Sequence, residues 1–349
     1  MRSVLGMAVA VVTLHLIGWG TLLLVAASGN YVIQGSVFGI GLGVTAYTLG
    51  VRHAFDADHI AAIDNTVRKL LGDNDDRQAR TVGFWFALGH STVVFVLVVL
   101  LAAGMQALAA TLENEDSSLL RWTDLWGAGV SGLFLIAIGL LNFASLVGLW
   151  RLFRKMRRGE YDEAQLHRQL DNRGLLNRVL RPVLGLVRKP RHMYPVGVLF
   201  GLGFDTVTEV GLLVIAGGAV ATGLPWYAIL VLPVLFAAGM TLFDALDGAL
   251  MSLAYDWAFV RPVRKIYYNL VVTGLSVVVA LLIGGQGIVS IVVERLGIES
   301  GVMAWVGGLD LGELGYIIVG LLLFTWAVAL AVWRFADVER RWEDRIAVR

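Results

Sequence analysis

The chain is predicted to be an all-α polytopic membrane protein with eight transmembrane helices and both termini on the cytoplasmic side. Three observations carry that prediction. Hydrophobic residues make up 57% of the 349 and charged residues 16%, with a mean hydropathy of +0.73, whereas soluble domains average about 45–50% and ~25%. The apolar residues are gathered into eight runs, each long enough for the roughly 20 residues a membrane span needs. Finally, 25 of the 28 lysines and arginines fall in alternate connecting segments, the asymmetry expected when cytoplasmic loops retain positive charge.

In chain order the runs cover 4–27, 36–66, 81–111, 125–150, 193–221, 226–255, 267–293 and 311–333. The first is longer than the ~7–15-residue apolar core of a signal peptide and ends in Ala26-Ala27-Ser28-Gly29, a poor cleavage site. It is therefore read as a helix. Segments 67–80, 151–192, 256–266 and 334–349, with Arg2, hold the inner positive charge, and an odd number of spans would break the alternation. The whole of 1–349 reads as a single transmembrane domain, with 151–192 as a basic cytoplasmic loop between the fourth and fifth helices. That loop mixes charge with Leu152, Phe153, Leu166 and Leu170, the pattern of a short surface-lying helix before Pro182. Acidic outer loops, with Glu113, Glu115, Asp116 and Glu294 among their residues, are what remains once lysine and arginine are kept inside.

The absence of cysteine removes disulfides and thiolate ligation, and a net charge of +1 gives no ground for a nucleic-acid partner. Membrane lipids are the expected surroundings. Oligomeric state leaves no trace in the sequence.

The second run contains Arg52-His53-Ala54-Phe55-Asp56-Ala57-Asp58-His59, two imidazoles and two carboxylates in an otherwise apolar span. Such groups are costly in hydrocarbon and mark a functional site facing the bundle interior. A mixed nitrogen and oxygen donor set suits divalent transition metals better than alkali or alkaline-earth ions. On a regular helix His53, Asp56 and His59 lie at about 0°, 300° and 240° on one face, while Asp58 falls near 140°. Either Asp58 belongs to an outer layer or to a neighbouring helix, or the helix unwinds. Gly35, Gly39, Gly41, Gly43 and Gly50 favour a broken helix, a common transporter device for offering backbone groups to an ion.

Other embedded polar groups cluster too. His90 lies in the third span; Asp205 and Glu209 share a face of the fifth at i, i+4; Asp244 and Asp247 share a face of the sixth at i, i+3. These four carboxylates are candidates for a cation pathway, with hydrogen bonding between helices as the plainer alternative. For His15 in the first span an interhelical hydrogen bond is preferred to ligation. Asp64 and Asn65 at the end of the second span suit capping or pairing with Arg68 as well as an exit site. The four polar spans are expected to line one cavity, with the other four forming a lipid-facing shell. Phe55-Asp56-Ala57 echoes Phe204-Asp205-Thr206, and Phe86-Ala87-Leu88-Gly89 echoes Phe236-Ala237-Ala238-Gly239, at offsets of 149 and 150 residues. With the charge-derived orientation this predicts an inverted repeat, with its site where the halves meet.

The motif His53-x4-Asp58-His59, together with Leu88-Gly89-His90-Ser91-Thr92-Val93-Val94, Leu202-Gly203-Phe204-Asp205-Thr206-Val207-Thr208-Glu209 and Gly239-Met240-x3-Asp244-x2-Asp247, resembles the nickel/cobalt transporter family of secondary permeases. Four motifs in the family's order span the chain. The resemblance implies an eight-helix permease for uptake of Ni(II), Co(II) or both across the bacterial cytoplasmic membrane, with the metal as substrate and no cofactor. It maps the family's metal-recognition motif to His53, Asp58 and His59, with Asp56 between them, its third-helix histidine to His90, and its acidic motifs to Asp205, Glu209, Asp244 and Asp247. Val207 stands where the family often has alanine, a conservative departure.

Competing readings are metal efflux on a related scaffold, a proton-coupled transporter using the His and Asp chain as a relay, and an intramembrane metalloenzyme. Efflux relatives tend to carry a His-rich cytoplasmic segment, and only His167 and His192 occur in the loop. No His-Glu-x-x-His arrangement supports an enzyme.

Overall fold

A computed structural model of the chain describes residues 2–28, 32–33, 36–37, 39–74, 77–103, 118–157, 187–202, 212, 216, 225–259, 262–309 and 314–335. Helix α1 runs Arg2–Ser28, and a two-residue antiparallel ladder, β1 (Val32–Ile33) with β2 (Ser36–Val37), turns the chain. Then follow α2 (Ile40–Ala54), α3 (Ala57–Asn74), a 3-10 turn at Arg77–Thr81, α4 (Val82–Ala102), α5 (Ser118–Arg157), α6 (Met193–Gly201), a short turn at Trp226–Ile229, α7 (Val231–Phe259), α8 (Pro262–Leu296), α9 (Val302–Gly307) and α10 (Leu314–Phe335).

Five of these segments are long and apolar enough to cross a membrane: Ser3–Val25, Ala79–Ala102, Gly129–Gly148, Trp226–Tyr255 and Leu270–Leu296; Leu314–Val328 is a shorter apolar stretch. They coincide with the first, third, fourth, sixth, seventh and eighth runs of the sequence. The second run is divided between α2 and α3, and only Met193–Leu202, Leu212 and Ala216 of the fifth are described. Large apolar side chains stay exposed along the outer helices, among them Leu16 and Leu24 on α1, Leu282 on α8 and Phe324 on α10. In water such a surface would be an unsatisfied patch; in lipid it is the natural exterior.

Glycine sets the closest crossings. At Gly50 of α2 a Cβ would run into the Phe236 carbonyl of α7, and at Gly239 of α7 into the Tyr47 carbonyl of α2. The same reciprocal contact joins α4 and α6, where Gly197 faces the Phe86 carbonyl and Gly89 the Tyr194 carbonyl. Phe86 and Gly89 correspond to Phe236 and Gly239 at an offset of 150, and Tyr194 and Gly197 to Tyr47 and Gly50 at 147. The echo of Phe86–Gly89 in Phe236–Gly239 thus falls on two alike helix crossings, while the echo at Phe204–Thr206 lies outside the described residues. Small residues permit this approach where helices have no hydrophobic drive to associate in lipid.

The buried residues form two main clusters. One gathers Leu22, Val94, Leu235, Phe236 and Met240; the other Ile60, Ile63, Phe86, Leu135, Phe200 and Tyr255. Phe236 of the first cluster lies beside His53, and Phe86 of the second beside His59. Helices α3 and α7 run in the same direction, since Asp244 meets His59 and Tyr255 meets Asp64 further along both.

The division into polar core and apolar shell is less sharp than the sequence suggested. Asn142 of α5 donates to Asn65 at 2.6 Å, and Ser276 of α8 donates to Asp64 at 2.5 Å. Both outer helices thus reach the polar interior. His15 meets its expectation: Nδ1 lies 2.8 Å from the Val11 carbonyl and Nε2 3.3 Å from the Tyr47 hydroxyl, tying α1 to α2. The surface helix expected before Pro182, and His167, lie outside the described residues. His192 accepts the Arg188 backbone N–H at 3.2 Å.

Candidate metal centre

The second run does not cross as one helix. α2 closes in a tight turn, with Phe55 N–H donating to Arg52 O and Asp56 N–H to His53 O, each at 3.0 Å, and α3 restarts when Ile60 N–H donates to Asp56 O. The glycines thought to weaken this span are not where it breaks: Gly43 and Gly50 serve close packing, and the interruption falls at Phe55 and Asp56. Beside the break, Gly315 of α10 lies against the Phe55 carbonyl, where a Cβ would collide. The C-terminal end of α2 carries partial negative charge. The N-terminal end of α3 carries the opposite sign, and Asp58 counters it by accepting the His59 backbone N–H at 2.9 Å.

With the helix broken, His53 and His59 come together and α4 adds His90. All three are buried, at 1%, 1% and 3% exposure. Their ring centroids are 4.6, 4.6 and 4.9 Å apart, and one ligand nitrogen from each lies within 4.8 Å of the others. His53 Nε2 and His90 Nε2 are 3.0 Å apart. Two adjacent nitrogens bound to one ion at about 2.1 Å, roughly 90° apart, would be separated by nearly that distance. Among the described residues this is the group whose ligand atoms could hold one metal ion.

Carboxylates stand behind the rings. His53 Nδ1 pairs with Asp56 at 2.7 Å and His59 Nδ1 with Asp244 at 3.4 Å. A carboxylate on one ring nitrogen fixes the tautomer and turns the lone pair of the other toward a metal. Phe86 meets the His59 ring edge-on at 4.7 Å, and Phe236 lies 5.6 Å from His53. These aromatic walls exclude water and lower the local dielectric, which favours imidazole–metal contact over hydration.

Each sequence-predicted residue can now be placed. His53, His59 and His90 converge. Asp56, expected on the ligand face, is engaged by His53, and Asp58 by backbone. Asp244, read as a pathway residue, stands behind His59, and its Oδ1 is buried without a hydrogen-bond partner among the described residues. Asp247 also keeps a buried, unpaired Oδ2. Asp205 and Glu209 lie outside the described residues. Sequence reasoning missed the phenylalanine walls. Phe86 sits one helical turn before His90, a spacing that could have signalled a shared face.

Residues 39–332 match the NicO family, described as high-affinity nickel-transport protein. The chain belongs to that family. It is 56% identical to the nickel transporter NicT of Mycobacterium tuberculosis, over 96% of this chain and 90% of that relative. It is 42% identical to the nickel transporter NixA of Staphylococcus aureus, over 95% and 94%. The cobalt transport protein NhlF of Rhodococcus rhodochrous is 40% identical over 95% and 91%. No solved structure matches the chain. The chain is thus a multi-pass membrane transporter and not an enzyme.

Removing the acceptor behind His53 tests its positioning role. In an Asp56→Ala variant the nickel affinity of purified protein is expected to fall by about 10–100-fold, read by calorimetric titration. Unchanged affinity would mean the carboxylate does not orient that ring.

Proposed function

We propose that this chain imports Ni(II), Co(II) or both across the cytoplasmic membrane, as a single eight-span domain, through a site formed by His53, His59 and His90. The observation that carries the reading is the mutual approach of three buried imidazole nitrogens within 4.8 Å, in a family of nickel-transport proteins. Neutral imidazole is a good ligand for late first-row ions, and Cu(II) binds the same atoms more tightly by intrinsic affinity, so discrimination rests on enforced geometry. Relatives named for nickel and for cobalt support a substrate class wider than one metal.

In this mechanism the ion sheds water at the break between α2 and α3. His53, turned by Asp56, presents Nε2; His59, turned by Asp244, joins it; His90 gives up its shared hydrogen bond with His53 to ligate. The repeated crossings of α2 with α7 and of α4 with α6 supply two equivalent pivots, on which halves of inverted topology rock to open the site to either side. Asp205 and Glu209 are assigned to the same pathway by their motif.

Purified protein in vesicles enclosing a metal-sensitive dye tests the cargo: nickel or cobalt is expected to enter and quench, while magnesium is not. Loss of preloaded radioactive nickel from expressing cells, in place of accumulation, would overturn import in favour of efflux. Ligation requires neutral imidazole, so protons compete with metal. Uptake is therefore expected to fall as pH drops through the ordinary histidine range near about 6.5, and an initial rate flat from pH 7.5 to 5.5, roughly one unit on either side, would contradict histidine ligation.

A further inference from the structure

Beyond the histidines, α3 carries a second buried polar centre. Asp64, Arg68, Tyr255 and Ser276 are 2%, 6%, 0% and 2% exposed and come from α3, α7 and α8. Tyr255 donates to Asp64 Oδ1 at 2.6 Å and Ser276 to Asp64 Oδ2 at 2.5 Å. Arg68 directs a single nitrogen, Nη2, to Asp64 at 3.4 Å, to Ser276 at 2.6 Å and to the Tyr255 hydroxyl, and its guanidinium lies over the Tyr255 ring. Its Nε and Nη1 are buried with no hydrogen-bond partner among the described residues.

That arrangement is unusual for an arginine–carboxylate pair, which ordinarily closes as a short two-pronged fork. Here the close partners of the carboxylate are neutral hydroxyls, and the cation sits at the edge of contact. Asp247 and Asp64 stand where α7 packs on α3: a Cβ at Gly248, the residue after Asp247, would lie 3.5 Å from the side chain of Ile63, the residue before Asp64. Asp244 Oδ1, fully buried, and Asp247 Oδ2 both lack hydrogen-bond partners among the described residues. Carboxylate oxygens continue from the triad: Asp244 behind His59, Asp247 three residues further along α7, and Asp64 five residues beyond His59 along α3. At about 1.5 Å per residue the second centre lies some 7–8 Å past the histidines.

We propose that Asp247 and Asp64 form a second, all-oxygen site for the divalent ion, and that Arg68 is the resident cation the metal displaces when it leaves the histidines. The proposal rests on the transport reading above and deepens it. A site tight enough to select a metal releases it slowly, and conduction needs a following site that holds the ion less firmly. Carboxylate and hydroxyl oxygens bind nickel and cobalt less strongly than imidazole does. The guanidinium keeps the inner carboxylates neutralised while no metal is there, and its return to Asp64 drives the ion onward.

The test is nickel titration of the purified full chain, combined with vesicle uptake. The parent is expected to bind one tight and one weaker equivalent. Asp247→Asn should keep the tight equivalent, lose the weaker one and slow uptake by about tenfold or more; Arg68→Gln should tighten the weaker equivalent by about tenfold, and Arg68→Lys should restore it toward the parent, as expected for competition between a resident cation and a metal. A parent that binds one equivalent only, or an Asp247→Asn variant that transports normally, overturns the inner site. Should Arg68→Gln fail to fold, Asp247→Asn decides alone. If the His53→Ala/His59→Ala variant kept the tight equivalent, the histidine reading would fail while the inner site stood.

Discussion

Cells carrying a His53→Ala/His59→Ala variant are expected to take up radioactive nickel at low micromolar concentration at least about a hundredfold more slowly than the parent, larger than the 10–100-fold cost of losing a group behind a ligand. The reason is geometric. With both rings gone, His90 is left as the last member of the cluster, and a single imidazole cannot replace the water lost by an ion entering a pocket walled by Phe86 and Phe236. Asp244, fully buried, and Asp56, partly buried, would then lose the rings they now engage. Membrane abundance must be measured alongside, because unpaired buried charge also destabilises the fold. Uptake near the parent rate in a variant of normal abundance would dismiss the histidine site.

The second large effect concerns the scaffold. A Gly89→Val variant is expected to lower the yield of folded protein severely, because the new side chain would meet the Tyr194 carbonyl and the Val198 backbone of α6. Overpacking commonly costs about 1–3 kcal/mol, and more where the obstacle is backbone that cannot rotate away. Gly239→Val should do the same at the α2–α7 crossing, where the Tyr47 carbonyl stands in the equivalent place. Gly6 and Gly20 of α1 have open space where an alanine methyl would stand, so alanine there should be tolerated. Thermal melting of detergent-solubilised protein checks the ranking; equal stability of the variants at Gly89 and Gly20 would refute the packing argument.

Much of this was legible in the residues. Composition, run length and charge bias predicted a helical membrane protein, and the six described apolar segments fall where the runs do. His53, His59 and His90 could be singled out because imidazole inside an apolar span is costly and rarely incidental. Offsets of about 150 residues suggested a repeat, although short echoes could not say that Gly89 and Gly239 stand at alike helix crossings.

Other features needed the folded chain. A helical wheel holds only while the helix is continuous, so it could not show the break at Phe55 and Asp56, beside which Asp56 pairs with His53 and Asp58 accepts the His59 backbone N–H. The glycines suggested a weak helix, yet Gly50 serves close packing against the Phe236 backbone and Gly43 against the Leu22 side chain. Asp244 is 185 residues from His59 and Tyr255 is 191 from Asp64, separations at which no local pattern reports contact.

From sequence alone came the solvent in which the chain folds, its helical class and the donor atoms available for a metal, since these follow from transfer free energies and side-chain chemistry that each residue carries by itself. Which donors meet, which carboxylate stands behind which ring, and where Arg68 rests were decided by tertiary structure. They depend on distances between residues remote in the chain, and such distances exist only after the helices have packed.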